Sequence, residues 1–218
     1  METKYHAARR WPWGTSFGFA VVGLYISFTV LAIARFPATV SPLTTYLSAL
    51  GNAEISPRGA IFYDLAVILA GLAGIPFYVA ISAHYSQYGR RWLLAIGLVA
   101  GVINGVSVFM SGVYAEHVNM DAHVAWSYTI FFSLIAVLLT YSVAFLGAPR
   151  GSSVVSWFGF IVCAIDVVAL ATILIGGRGP GLGSILEWVT VFTLLAWVAL
   201  VSLDVLRRSR AEGARQER

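Results

Sequence analysis

Six apolar stretches, each a little over twenty residues long and nearly free of charge, alternate with short polar connections along this chain. They run about Gly14–Ala34, Ile61–Ala83, Trp92–Val113, Val124–Leu146, Val154–Ile175 and Ile185–Leu206. A helix rises about 1.5 Å per residue, so each stretch is long enough to cross roughly 30 Å of hydrocarbon. Helices are the expected form, because backbone groups inside a bilayer must find their hydrogen bonds within the chain. Composition points the same way. Only 11% of the residues are charged and 59% are hydrophobic, whereas a soluble domain carries about 25% charged residues. The expected fold class is all-α: a polytopic membrane protein with a single six-helix transmembrane domain over residues 1–206 and a basic tail over 207–218. Pro76 is a candidate kink in the second span.

Basic residues set the expected orientation. Lys4, Arg9, Arg10, Arg90, Arg91, Arg150, Arg207, Arg208, Arg210, Arg215 and Arg218 fall on one set of connections and termini. Only Arg35, Arg58 and Arg178 fall on the other, eleven against three of the fourteen. Lysine and arginine accumulate in short cytoplasmic loops. Both termini, the Tyr85–Arg91 connection and the Gly147–Ser153 connection are therefore expected in the cytoplasm, with the chain in the cell membrane as a multi-pass protein. Trp11 and Trp13 suit the interface before the first span. The Met1–Trp13 segment is polar and basic and the stretch after it is long enough to span, so no cleavable signal peptide is expected. The tail is expected to fray or to lie against anionic headgroups.

Several function classes drop out. The net charge of +4 sits in short loops and termini, which membrane orientation explains, so no nucleic-acid partner is expected. A single cysteine, Cys163, excludes an intramolecular disulfide and any CxxC-type site. No phosphate-binding glycine loop, GxSxG elbow or dinucleotide fingerprint stands in a usable context. A haem needs axial ligands at one height on facing helices, but His84 is at the inner end of the second span while His117 and His123 are outer. Transport finds little support without repeat symmetry or broken helices. No cofactor is expected.

The polar groups gather on the outer side. In the longest connection, Phe36–Gly59, Ser41-Pro42 offers a cap, and Leu43, Tyr46, Leu47 and Leu50 follow at helical spacing before Gly51. This pattern predicts a short amphipathic helix at the outer interface. Asp64 stands near the outer start of the second span, His123 opens the fourth, Glu187 lies near the start of the sixth, and Arg35 at the outer end of the first. Each has a plain structural explanation, since helix ends are wet, Asp121 is placed to cap the fourth helix and Arg35 can snorkel. Glu116, His117, Asp121, His123, Asp64 and Glu187 supply zinc-type donors, but His117 and His123 are six residues apart and no metal is expected.

Asp166 resists a bland explanation. It stands twelve residues past Val154, roughly 18 Å into the membrane, where a carboxylate costs about 2.5–3.5 kcal/mol on insertion scales. It therefore faces a partner, a cavity or a neighbouring helix. Gly97, Gly101 and Gly105, followed by Ser107, Ser111 and Gly112, form a smooth ridge on the third span. That ridge is suited first to packing within the bundle and second to a homo-oligomeric contact. Asn104 stands mid-span, able to bond across helices.

Tyr46-Leu47-Ser48-Ala49-Leu50-Gly51, then Pro57, then Ile61-Phe62-Tyr63-Asp64 opening a helix, resembles the domain-of-unknown-function (DUF) 998 family of six-helix membrane proteins. In that family a Ser-x-x-Gly segment and a proline precede the second helix. A later outer histidine opens the fourth helix ahead of a Phe-Phe pair, here His123 and Phe131-Phe132. Family members often carry asparagine where Asp64 stands. The family is distantly similar to the Frag/DRAM/Sfk group, some of whose members are linked to lipid remodelling. The resemblance implies an outward-facing motif centred on Ser48, Gly51 and His123.

Together these observations predict a protein that binds a lipid or amphiphile in an outward-facing intramembrane pocket lined by Ser48, Asp64, His123, Asp166 and Glu187. If the ligand is also processed, His123 and Asp166 are the candidate catalytic residues, although no motif establishes a reaction. Membrane lipids are the expected partners. The alternative is an accessory or structural subunit, in a homo-oligomer or a larger membrane complex, with Asp166 on the outer surface of the bundle and paired to a neighbouring chain.

Overall fold

The computed structural model describes residues 13–86, 90–148, 151–176 and 181–216. Its helices are α1 (Trp13–Ala34), α2 (Ala60–Tyr85), α3 (Arg91–Val113), α4 (Met120–Leu146), α5 (Ser153–Gly176) and α6 (Leu182–Gln216). No strand occurs among the described residues. All six helices are long and apolar enough to cross a membrane. Helix α2 runs through Pro76. Lys4, Arg9, Arg10, Trp11, Arg150, Arg178 and Arg218 lie outside the described residues, as do 87–89 and 177–180 of two connections.

Two helices begin or end away from their expected limits, each for a local reason. Helix α4 starts at Met120, and its cap is Asn119 rather than Asp121. The Asn119 side chain accepts from the Ala122 amide at 3.0 Å, and Asp121 stands in the first turn, where a carboxylate favours the helix dipole. Helix α6 continues without a break to Gln216, through the segment expected as a separate tail. Arg208 holds both carboxylate oxygens of Asp204 one turn back, at 2.6 and 2.9 Å, and such i,i+4 pairs support a helix.

Each helix packs on the next in sequence, and α6 closes the ring onto α1. The first long connection folds across one end, which we call the capped end. The other, tail end is tied by the Tyr85 hydroxyl donating to Asp204 at 3.1 Å and by Arg90 donating to the Val143 carbonyl at 2.8 Å. Arg35 does more than snorkel, since its guanidinium lies 5.9 Å from the centre of the Phe62 ring, within cation–π range. Val154, Trp157, Ile161, Val168 and Ile175 of α5 point outward and are exposed, as hydrocarbon-facing residues should be.

A close seam lies between α2 and α3. A Cβ placed on Gly71 would meet the Phe109 amide nitrogen at 2.5 Å and the Gly105 carbonyl oxygen at 2.7 Å. A Cβ on Gly105 would meet Ile75 at 2.7 Å, and one on Gly112 the Asp64 carbonyl oxygen at 3.0 Å. The glycine ridge of α3 is thus turned into the bundle, where missing side chains allow backbones to touch. Asn104 sits on the same helix. It donates to the Ile130 carbonyl and the Ser133 hydroxyl of α4, both at 3.2 Å, and accepts from the Tyr78 hydroxyl of α2 at 3.3 Å. Gly71→Ala should lower stability in detergent by about 1–3 kcal/mol, the usual range for overpacking. Gly23→Ala, whose Cβ would meet nothing within 4 Å, should leave the melting temperature unchanged or slightly raised.

Candidate functional site at the capped end

The expected amphipathic helix does not form as one element. Ser41 starts a single turn, its carbonyl accepting from Thr45 N at 2.8 Å and its hydroxyl from Leu43 N at 3.3 Å. The chain then straightens and turns again as a 3-10 turn at Ser48–Gly51. Side chains of α6 explain the break by taking over the backbone between the two turns. Trp188 Nε1 donates to the Thr45 carbonyl at 2.9 Å, and the Glu187 carboxylate accepts from Leu47 N at 2.7 Å and Ser48 N at 3.3 Å. Leu47 and Leu50 are fully buried while Leu43 is 61% exposed, so the four apolar positions do not share one face.

The Ser48–Gly51 turn brings several groups together. Gly51 lies against Asp64, whose Oδ1 would be 2.5 Å from a Cβ placed there. Ser48 Oγ donates to Glu116 Oε1 at 3.2 Å, and His123 Nε2 lies 3.9 Å from the same oxygen. His123 Nδ1 faces the carbonyls of Tyr114 and Ser111 at 3.0 and 3.2 Å. Carbonyls only accept, so this assigns the imidazole hydrogen to Nδ1. The ring therefore caps carbonyls that the end of α3 leaves open, and it presents Nε2 to Glu116.

This geometry limits the chemistry. A serine nucleophile needs its hydroxyl on the imidazole that will take its proton, whereas Ser48 gives its hydrogen to a carboxylate. His117 is drawn away from His123, accepting from the Ala53 amide at 3.3 Å in an exposed setting. Among the described residues, no three histidine, cysteine, aspartate or glutamate side chains gather closely enough to hold a metal ion.

Below the turn lies an axial cavity of about 180 Å³, bounded by all six helices. Ser48, Asp64, His123, Asp166 and Glu187 all line it. Most of the remaining wall is apolar or aromatic, including Val67, Phe77, Val108, Phe131 and Leu194. Asp166 is 0% exposed, and among the described residues neither of its carboxyl oxygens has a hydrogen-bond partner. The Thr190 hydroxyl, also on the cavity wall, is likewise buried without a partner. Sequence reasoning noted Glu116 only as a loose metal donor and missed it as the acceptor of the Ser48 hydroxyl close to His123. Thr190 carried no signal, because a threonine in a span ordinarily bonds back to its own helix.

A family model described as "Protein of unknown function (DUF998)" matches residues 19–204. The chain belongs to that family. This DUF998 protein is an integral membrane protein whose six spanning helices fall almost wholly within the match. SPS-sensor component SSY1 of Saccharomyces cerevisiae is 24% identical over 149 residues, which covers 68% of the chain but 17% of the yeast protein. No solved structure matches.

Two outcomes follow from the site's geometry. Glu187→Ala removes charge-assisted bonds of the kind worth about 1.5–3 kcal/mol each. Hydrogen exchange at the amides of Leu47 and Ser48 should then quicken about tenfold or more, as read by mass spectrometry of the peptide that contains them. An orphaned buried polar group costs about 1–3 kcal/mol, so Asp166→Val should raise the unfolding temperature of ligand-free protein. A fall would mean that Asp166 has a stabilising partner after all.

Proposed function

We propose that this DUF998 protein binds a small amphiphile, or the headgroup end of a lipid, in its axial cavity from the outer face of the membrane. Asp166 carries the reading. A carboxyl group held in the middle of a spanning helix is expensive to insert, and here it borders a cavity while neither of its oxygens has a partner among the described residues. A ligand that supplies the missing hydrogen bonds removes that cost. Size narrows the class. An apolar cavity of about 150 Å³ holds a benzene ring, so the about 180 Å³ found here encloses a body of similar size or slightly larger. A lipid would leave its chains outside, between helices.

Charge distribution supports the sidedness. Arg90, Arg91, Arg207, Arg208 and Arg210 belong to the tail end and Arg35 and Arg58 to the capped end, an asymmetry that under the positive-inside rule supports a cavity opening outside and termini in the cytoplasm. The yeast relative is named as a component of a sensor, a role in keeping with ligand binding. The accessory-subunit reading would put Asp166 on the outer surface, and its complete burial beside the cavity favours the pocket. If the ligand is processed, His123 and Asp166 are the candidate acid/base groups.

Thr44 is exposed at the capped end and Arg210 at the tail end. In a Cys163→Ala background, Thr44→Cys should react with a membrane-impermeant maleimide on intact cells, and Arg210→Cys only after lysis. The reverse pattern inverts the topology. Native mass spectrometry of the protein extracted from its own membrane should show a retained small-molecule or lipid mass. A stoichiometric complex with unrelated chains and no such mass would instead establish the accessory-subunit role.

A further inference from the structure

The cavity wall carries acidic groups without basic ones. Three carboxyl groups line it, those of Asp64, Asp166 and Glu187, together with His123, but among the described residues no lysine or arginine does. Glu187 is engaged by the Leu47 and Ser48 amides, and His123 directs Nε2 to Glu116. Among the described residues Asp166 has neither a hydrogen-bond donor nor a basic side chain to answer it. A ligand in the cavity is placed to supply that counterpart. Aromatic rings complete the surroundings: Tyr25, Tyr63, Tyr78 and Phe131 all face the same space, and ring faces attract cations most strongly where water is excluded.

We propose that the ligand is an organic ammonium compound, a protonated amine carrying an apolar body about the size of benzene, whose N–H groups bond to Asp166 while its body lies among the aromatic and aliphatic side chains. This rests on the binding function proposed above and names the chemistry of that ligand. Two orphaned acceptor oxygens call for N–H donors, and a charged donor gives them the stronger bond. An inorganic cation would satisfy the charge but leave most of the apolar cavity empty. A neutral alcohol has one O–H to give and would leave the second oxygen without a donor.

Hexylamine, which is protonated at neutral pH as a lysine side chain is, fits the cavity and has a neutral counterpart in 1-hexanol. Binding of each to the full chain in a non-ionic maltoside detergent is read by calorimetry and by the shift of the melting temperature, since a ligand specific to the folded state raises it. Hexylamine should bind the wild-type protein at least tenfold more tightly than 1-hexanol, and Asp166→Asn should reduce it to the level of the alcohol. Equal affinity for the two probes overturns the ammonium inference but leaves the amphiphile reading standing. Binding of neither overturns both. The same thermal shift from sodium chloride alone would replace the amine by an inorganic cation. Should Asp166→Asn fail to fold, the comparison of the two probes on wild-type protein still decides.

Discussion

A polar group in hydrocarbon has nothing to bond except its own helix or a neighbouring one, and nearly every side chain in this bundle can be understood from that scarcity. The hydroxyls of Ser107, Ser127, Thr140 and Thr172 each turn back to the carbonyl four residues earlier, which satisfies them without help from another element. Asn104, too large for that solution, reaches α2 and α4 at once. The apolar residues that remain face outward as a hydrocarbon-compatible surface. Several buried groups still lack a partner among the described residues, Thr29, Ser142 and Trp197 among them, and Asp166 and Thr190 do so at the same cavity.

Tight and open packing are arranged around one another. Glycines let α2 and α3 approach until their backbones touch, and that seam has no room for a ligand. The cavity lies beside that seam, beneath the capped end. The same residues serve both purposes, since Gly71, Gly105 and Gly112 belong to the seam and also border the cavity. A change that thickens the seam would therefore alter the cavity wall as well as the helix crossing.

The six spans were legible in the sequence because an apolar run of some twenty residues admits only one cheap backbone in a membrane. That Asp166 needs compensation was legible for the same reason, but its inward placement was not, since a partner on the outer surface of the bundle would have served as well. The first connection was not. Its leucines follow a helical period, but the conformation is decided by Glu187 and Trp188, which stand 140 residues or more away in sequence and claim the backbone groups that a helix would have used. His123 was found as a candidate, yet its attachment to the end of α3 depends on how the Ser111–Tyr114 segment turns, which residue type alone does not reveal. Long-range side-chain bonds leave no periodic trace, and the bond from Ser48 to Glu116 escaped notice on the same account.

The attachment of the first connection to the last helix also bears on how the protein is made. A chain emerges from its N-terminus onward, so α1, α2 and the segment between them are present well before α6 exists. Until α6 arrives, the Leu47 and Ser48 amides lack their carboxylate and the Thr45 carbonyl lacks its indole. The mouth of the cavity is thus completed only when the sixth helix takes its place and closes the ring, and a partly inserted chain has no finished site to offer.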